Sequence, residues 1–217
     1  MTLLDNSQIA ETLKLYCAHD LPSDFCHQVR TYINLLLRWN RRISLTTVVD
    51  PLQILRFHFG ESLFAISQVP IRLGRLADVG SGAGFPAVPI RMALEGVRIT
   101  LIESNRKKCA FLSEVARELG LTDVNVHLGR MEDFNDSQPG FDFVTARAVA
   151  IDDAFLMWSS GNLKPGGAVA LWLGQDDSVH VCRSMTFDWR APARIPRSER
   201  RVVLVGTNPA ASSRRST

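Results

Sequence analysis

Nowhere in the 217 residues does an apolar run reach the length of a membrane span. The opening stretch, MTLLDNSQIAETLK, has neither the basic region nor the apolar core of a secretory signal, so the chain is expected to stay in the cytoplasm and off the membrane. Cysteines are few and scattered. Cys17, Cys26, Cys109 and Cys182 form no CxxC pair and no Cys/His spacing that would hold zinc, which points to reduced thiols and no metal site. Lysine is nearly missing: Lys14, Lys107, Lys108 and Lys164 are the only four among 25 basic residues. No internal repeat is visible.

What is present begins with the apolar content, 46% of the chain, which is enough for one sizeable core and so for one main domain with a small N-terminal extension. The formal net charge of +3 is unevenly spread, because from Arg183 onward eight arginines face only Asp188 and Glu199. Such a basic end is the footprint expected for a nucleic-acid partner. A solvated, Arg-rich tail is the alternative that charge alone leaves open. Arg194, Arg197, Arg200 and Arg201 are the candidates for phosphate contacts.

Periodicity divides the chain. Ile9, Leu13, Tyr16 and Cys17 fall on one face of a first helix, and Phe25, Val29, Tyr32, Ile33, Leu36 and Leu37 on one face of a second, which Ser23 or Asp24 can cap. A third helical region starts at Asp50-Pro51 and runs through ILRFHFGESLFAI with a break near Gly60. From Leu76 the period changes to short β-rich runs, LADV, RITLIE, VNVHL, FDFVTA and AVALWL, most of them separated by enough chain for a crossover helix. Gly120 stops one such helix, KPGG at 164–167 is a turn into the fifth strand, and RVVLV at 201–205 is a late strand, with FDW a weaker candidate before it. These signals predict an α/β fold with a doubly wound sheet: a helical cap over 1–70, a core over 71–206, and a frayed tail over 207–217.

The stretch LADVGSGAGFPAVP at 76–89 leaves the first strand for a helix, where open α/β sheets bind ligands. Gly80, Gly82 and Gly84 let backbone N–H groups approach a ligand and permit positive φ. About twenty residues further on, Glu103 ends the second strand, where a carboxylate can accept both hydroxyls of an adenosine ribose. Dinucleotide and S-adenosylmethionine sites share this plan. A dinucleotide loop wants a third Gly where Phe85 stands, and Asp78 suits a cationic methionine headgroup better than a pyrophosphate, so S-adenosylmethionine is the expected cofactor.

With that loop, LRWNRRISLT at 37–46, HFGES at 58–62, TLIESNRKKCAFL at 100–112, the Gly-Arg130-Met131-Glu132 stretch, TARAVA at 145–150 and ERRVVLV at 199–205 are similar to the glucose-inhibited division protein B family over nearly the whole chain. That resemblance implies a Rossmann-like class I methyltransferase fold and transfer of a methyl group to N7 of a guanosine in small-subunit (16S) ribosomal RNA. It makes that RNA, or the small ribosomal subunit, the partner of a monomer. It also implies that Gly80 and Phe85 line the S-adenosylmethionine pocket, that Met131 and Glu132 flank the adenine, and that Arg147 stands beside the cofactor as the catalytic candidate. The chain departs from the family pattern at Ser44, at Gly60-Glu61 where Leu-Asp is usual, and at Trp172 or Leu173 where a lysine is usual. A small-molecule methyltransferase and a catalytically impaired RNA-binding relative are the rival readings. The residues agree with N7 chemistry, since TARAVA holds neither an Asn/Asp-Pro-Pro-aromatic clamp nor a cysteine nucleophile, and N7 has an exposed lone pair with no proton to lose.

Overall fold

The computed structural model describes residues 4–17, 20–69, 71, 73–135 and 140–209. The helical preface consists of α1 (Asn6–Leu13), α2 (Phe25–Asn40), α3 (Pro51–Ile54), a π-helical stretch (Leu55–Gly60) and α4 (Glu61–Gln68). At α1, Asp5 and Gln8 form a reciprocal capping box. The expected cap on α2 is not made: Asp24 occupies the N-cap, but its carboxylate accepts from the Gln28 side chain at 2.9 Å instead of from the helix backbone. The third helical region does not break at Gly60 either. It passes through a turn of π-helix and continues as α4, and Gly60 packs where a Cβ would stand 2.7 Å from the Tyr16 ring.

Strands and crossovers then alternate: β1 (Gly74–Val79), α5 (Ala87–Ala93), β2 (Val97–Glu103), α6 (Arg106–Glu118), β3 (Val124–Leu128), β4 (Phe141–Arg147), α7 (Asp153–Asn162), β5 (Leu163–Gly174), α8 (Gln175–Val181), β6 (Asp188–Trp189), β7 (Ala193–Arg194) and β8 (Arg201–Thr207). The sheet order is β3-β2-β1-β4-β5-β8-β6, with β7 also on β8. β1 to β5 are parallel and β8 runs antiparallel to β5. Gly120, at φ +62°, terminates α6 as expected. The KPGG turn is absorbed into β5 with a register shift against β4.

Strand order reverses between β1 and β4, so the chain leaves these two neighbours in opposite directions and opens a crevice at their C-terminal ends. The helical preface is not a separate layer, since Ile9, Phe25, Tyr32 and Phe59 share one apolar core with Phe85, Phe111 and Val203. The tail boundary also shifts. Thr207 belongs to β8, and Asn208 is buried, donating from Nδ2 to the carbonyls of Ser160 and Leu163, each at 3.1 Å. An amide side chain that satisfies the end of α7 explains this order; residues 210–217 of the expected tail lie outside the described residues. No helix among the described residues is long and apolar enough to cross a membrane.

Candidate active site

The loop after β1 fills the crevice floor. Gly80, Gly82 and Gly84 take φ of +69°, +55° and +86°. A Cβ on Gly80 would collide with Val149 of the segment after β4, so the close approach of the two strand ends depends on this glycine. Gly84 is packed as tightly, with Tyr32 Oη 2.6 Å and Val88 Cγ2 2.8 Å from where its Cβ would be. Tyr32 also donates its hydroxyl to the Ala83 carbonyl, which anchors the loop to α2. Gly84→Ala is therefore expected to lose about 2–4 kcal/mol of stability from left-handed backbone plus overpacking. Urea unfolding that shows less than half of that would contradict the packing described.

The sequence suggested that backbone N–H groups of this loop are free for a ligand, and the structure corrects that. Gly80 and Ser81 donate to the Ile102 carbonyl at 2.9 and 3.2 Å, Gly82 donates to Glu103 at 2.9 Å, and Gly84 donates to the Ser81 carbonyl at 2.6 Å. The glycines give space rather than donors. Glu103, buried at the end of β2, accepts from Gly82 with one oxygen and from the Asn105 N–H at 2.8 Å with the other. Two backbone donors thus fix its carboxylate and leave further lone pairs for a diol.

Asp78 lies beneath the loop at 1% exposure. Its Oδ1 accepts from Thr145 of β4 at 2.7 Å, while Oδ2 is buried with no hydrogen-bond partner among the described residues. Burial pushes its carboxyl up to about 7, against the lowering effect of the Thr145 and Ser81 hydroxyls. In its ionised form, with one orphaned oxygen, the group is suited to a cationic ligand in the crevice.

Across the crevice, a polar chain leads from α2 to the end of β4. Asn40 closes the turn after its helix, accepting from the Leu45 and Thr46 N–H groups at 2.8 and 3.0 Å. This sets Thr46 Oγ1 2.8 Å from His58 Nε2, and His58 Nδ1 lies 3.3 Å from Arg147. A guanidinium can only donate, so Nδ1 accepts and the ring proton sits on Nε2, facing Thr46. Burial first, then Arg147 and Arg201, lower the imidazole to about 3. His58 is neutral and has no lone pair left for a substrate proton. Arg147 also meets Glu61 at 3.3 Å, and Glu61 meets Arg201 at 2.7 Å. Burial pushes the Glu61 carboxyl up while the two arginines hold it down.

Asp78, the three glycines, Glu103 and Arg147 all lie around the crevice. Phe85 does so only at its edge: at 8% exposure it is stacked between Tyr32 (5.2 Å between centroids) and His58 (4.7 Å). Met131 and Glu132 form a short 3-10 turn just past Gly129, whose N–H donates to the Glu103 carbonyl at 3.1 Å. Met131 is partly buried against the second apolar cluster, and Glu132 is exposed. Arg194, Arg197 and Arg200 are exposed, but Arg201 turns inward to Glu61 and lies over the Phe57 ring at 4.9 Å. Thr46, His58 and Glu61 were quoted in the sequence motifs yet given no role. Only their convergence on Arg147 reveals one.

A sequence profile of rRNA small subunit methyltransferase G matches residues 25–187. The chain belongs to this family. A ribosomal RNA small subunit methyltransferase G from Streptococcus equi subsp. zooepidemicus (strain H70) is 41% identical over 128 residues, 57% of this chain and 54% of that protein. One from Desulfitobacterium hafniense (strain Y51) is 38% identical over 168 residues, 76% of this chain and 70% of that one. The chain spans little more than half the length of the streptococcal relatives it matches. Among solved structures, a SAM-dependent methyltransferase from Aquifex aeolicus superposes with a TM-score of 0.61 at 14% identity, over 73% of this chain and 94% of that one. The fold is the Rossmann-like class I methyltransferase fold.

Against the family pattern the departures fall unevenly. Ser44 is exposed in the turn that Asn40 closes. The other two touch each other, since Trp172 donates its indole N–H to the Glu61 carbonyl at 2.8 Å. The position of the missing lysine is thus filled by an aromatic donor that braces the exchanged acid.

Proposed function

We propose that this family member transfers a methyl group from S-adenosylmethionine to N7 of a guanosine in small-subunit ribosomal RNA. S-adenosylmethionine supplies an electrophilic methyl on a sulfonium. The residues present fit it: Asp78 offers an orphaned carboxylate oxygen to its cationic headgroup, Glu103 offers lone pairs to its ribose, and Gly80 leaves room where a Cβ would block the crevice. With their N–H groups engaged, the loop glycines are poorly disposed toward a pyrophosphate, which argues against a dinucleotide. Met131 and Glu132, beside Glu103, are assigned to the adenine.

The observation that carries the acceptor chemistry is the state of His58. The imidazole in the crevice is neutral, accepts from Arg147 and faces Thr46, so it is not a general base. N7 needs none, because its lone pair attacks without losing a proton. The chain's part is to align that atom, exclude water, and place carboxylates near a ring that becomes positively charged, with Arg147 positioning the base.

The exposed Arg194, Arg197 and Arg200 are assigned to RNA phosphates. Replacing all three with alanine is expected to weaken RNA binding and reduce the slope of log affinity against log salt by about 2, with cofactor affinity unchanged; an unaltered slope removes them from the interface.

The deciding experiment incubates the protein and labelled S-adenosylmethionine with naked rRNA or with small subunits, then maps the label. One labelled guanosine, cleavable after reduction and aniline treatment, is expected. Label without cleavage places the methyl elsewhere, and turnover independent of RNA would turn the reading to a small-molecule acceptor.

A further inference from the structure

The cofactor features lie on the β1–β2 side of the crevice. On the other side, between the ends of β4, β5 and β8, is a cavity of about 300 Å³ lined by Glu61, Arg147, Val149, Trp172, Asp177 and Arg201, among others. It adjoins the cofactor side through Val149, which packs on Gly80. Two polar atoms of its lining side chains lack hydrogen bonds. Arg147 Nη1 is buried with no hydrogen-bond partner among the described residues, and beside it Glu61 Oε2 makes no hydrogen bond and has only the 3.3 Å ion pair with Arg147 Nη2. A buried donor with no partner, next to a carboxylate oxygen held only by a long ion pair, leaves hydrogen-bonding capacity that a ligand can satisfy.

Guanine carries the complementary pair. O6 accepts and the adjacent N1–H donates, and O6 shares its edge with N7. Adenine reverses both, presenting an amine to the guanidinium and a lone pair to the carboxylate. We propose that this cavity receives the acceptor base, with Arg147 donating to O6 and Glu61 accepting from N1–H, so that this pair selects guanine and turns N7 toward the cofactor side. Arg201 holds the second Glu61 oxygen, and Trp172 holds the Glu61 backbone, which fixes the carboxylate for that contact. This assignment rests on the guanine-N7 reading above.

The test uses small-subunit rRNA assembled by ligation so that the mapped target carries either guanosine or N1-methylguanosine, which keeps O6 and N7 but loses the N1 proton. The unaltered protein is expected to methylate guanosine at least about 100-fold faster than the N1-methyl analogue, the scale on which sites built around a substrate N–H reject its absence. Glu61→Ala removes the acceptor and makes room for the methyl, so its rates fall but the ratio collapses to within about fivefold. A merely structural glutamate would slow both substrates alike and leave the ratio intact, as would a water occupying the site, and either result overturns the proposal. If the alanine variant does not fold, Glu61→Gln is used, and its ratio is expected to drop by about tenfold as a neutral acceptor replaces a charged one. If the mapped product is not N7-methylguanosine, both readings fall. If it is and no variant alters the ratio, only the pocket assignment does.

Discussion

Replacing Asp78 with asparagine is expected to make the ligand-free protein more stable at pH 8 and nearly unable to hold S-adenosylmethionine. The native carboxyl is raised to about 7 by burial, from 3.8 in the open chain. An acid raised on folding binds its proton more tightly in the native state, so the native state gains from it as pH falls from about 7 toward 4 and is penalised above 7. Asparagine has no charge to bury, and the gain at pH 8 is expected at about 2–4 kcal/mol, less whatever its amide hydrogens leave unmade. Denaturant unfolding at pH 8 and pH 5 reads this directly, with the advantage of the variant shrinking at the lower pH. The same charge is what a sulfonium and an ammonium would neutralise, so cofactor affinity should fall at least about 30-fold in the variant. In the unaltered protein, affinity should weaken below pH 7, and binding at pH 6 should release close to one proton, measurable by calorimetry in buffers of different ionisation heat. Saturated single-turnover rates should stay nearly flat from about pH 6.5 to 9, because bound cofactor keeps Asp78 ionised and no base is consumed. Proton-neutral binding, or a variant that binds normally, would remove Asp78 from the site.

The sheet and the loop-and-acid arrangement proposed for the cofactor are legible in the sequence because their signals are local. A β-rich run ending in Asp78, a glycine-rich turn and an acid at the end of the next strand lie within one βαβ unit, and the unit's geometry follows from its spacing. The polar cluster around Arg147 is not, because Thr46, His58, Glu61, Arg147 and Arg201 come from distant segments and meet only in the fold. The arginine count shows the same limit. Four arginines near the C-terminal end look alike as charge, yet Arg201 reaches a buried carboxylate while Arg194, Arg197 and Arg200 face outward. The tail was misjudged at Asn208 for a similar reason, since its partners Ser160 and Leu163 are more than forty residues away.

Arg147→Lys is expected to fold and to lose about 10² in turnover, the scale on which a misplaced acceptor loses its in-line alignment. An ammonium cannot span His58, Glu61 and a base at once, so the substitution is not conservative here. Cofactor affinity should change by no more than a few fold, because Asp78 and Glu103, the residues proposed to hold the cofactor, lie on the other side of the crevice. The Arg147 guanidinium is the second cause of His58's lowered basicity, after burial. With the charge displaced, the His58 imidazole should titrate at higher pH, visible in its ring proton shifts. A variant with full turnover would remove Arg147 from the reaction. One with lost turnover and an unmoved His58 would break the link between them.

The π-helical turn at Leu55–Gly60 gives the helix that carries both His58 and Glu61 two angular settings. Its i→i+5 pattern winds through one residue more per turn than the α-helices on either side, so residues before it and after it are out of phase by about 100° relative to an uninterrupted helix. That offset works as a vernier: Ile54 and Leu55 keep their place in the core while Glu61 still swings round to Arg147. Deleting a single residue such as Phe57 would leave composition and apolar pattern nearly intact and restore an ordinary α-helix. It would also rotate one of the two arms away from the other. Insertions and deletions of one residue in this stretch therefore act as a change of aim, while substitutions at Leu55 or Phe59 act on packing alone.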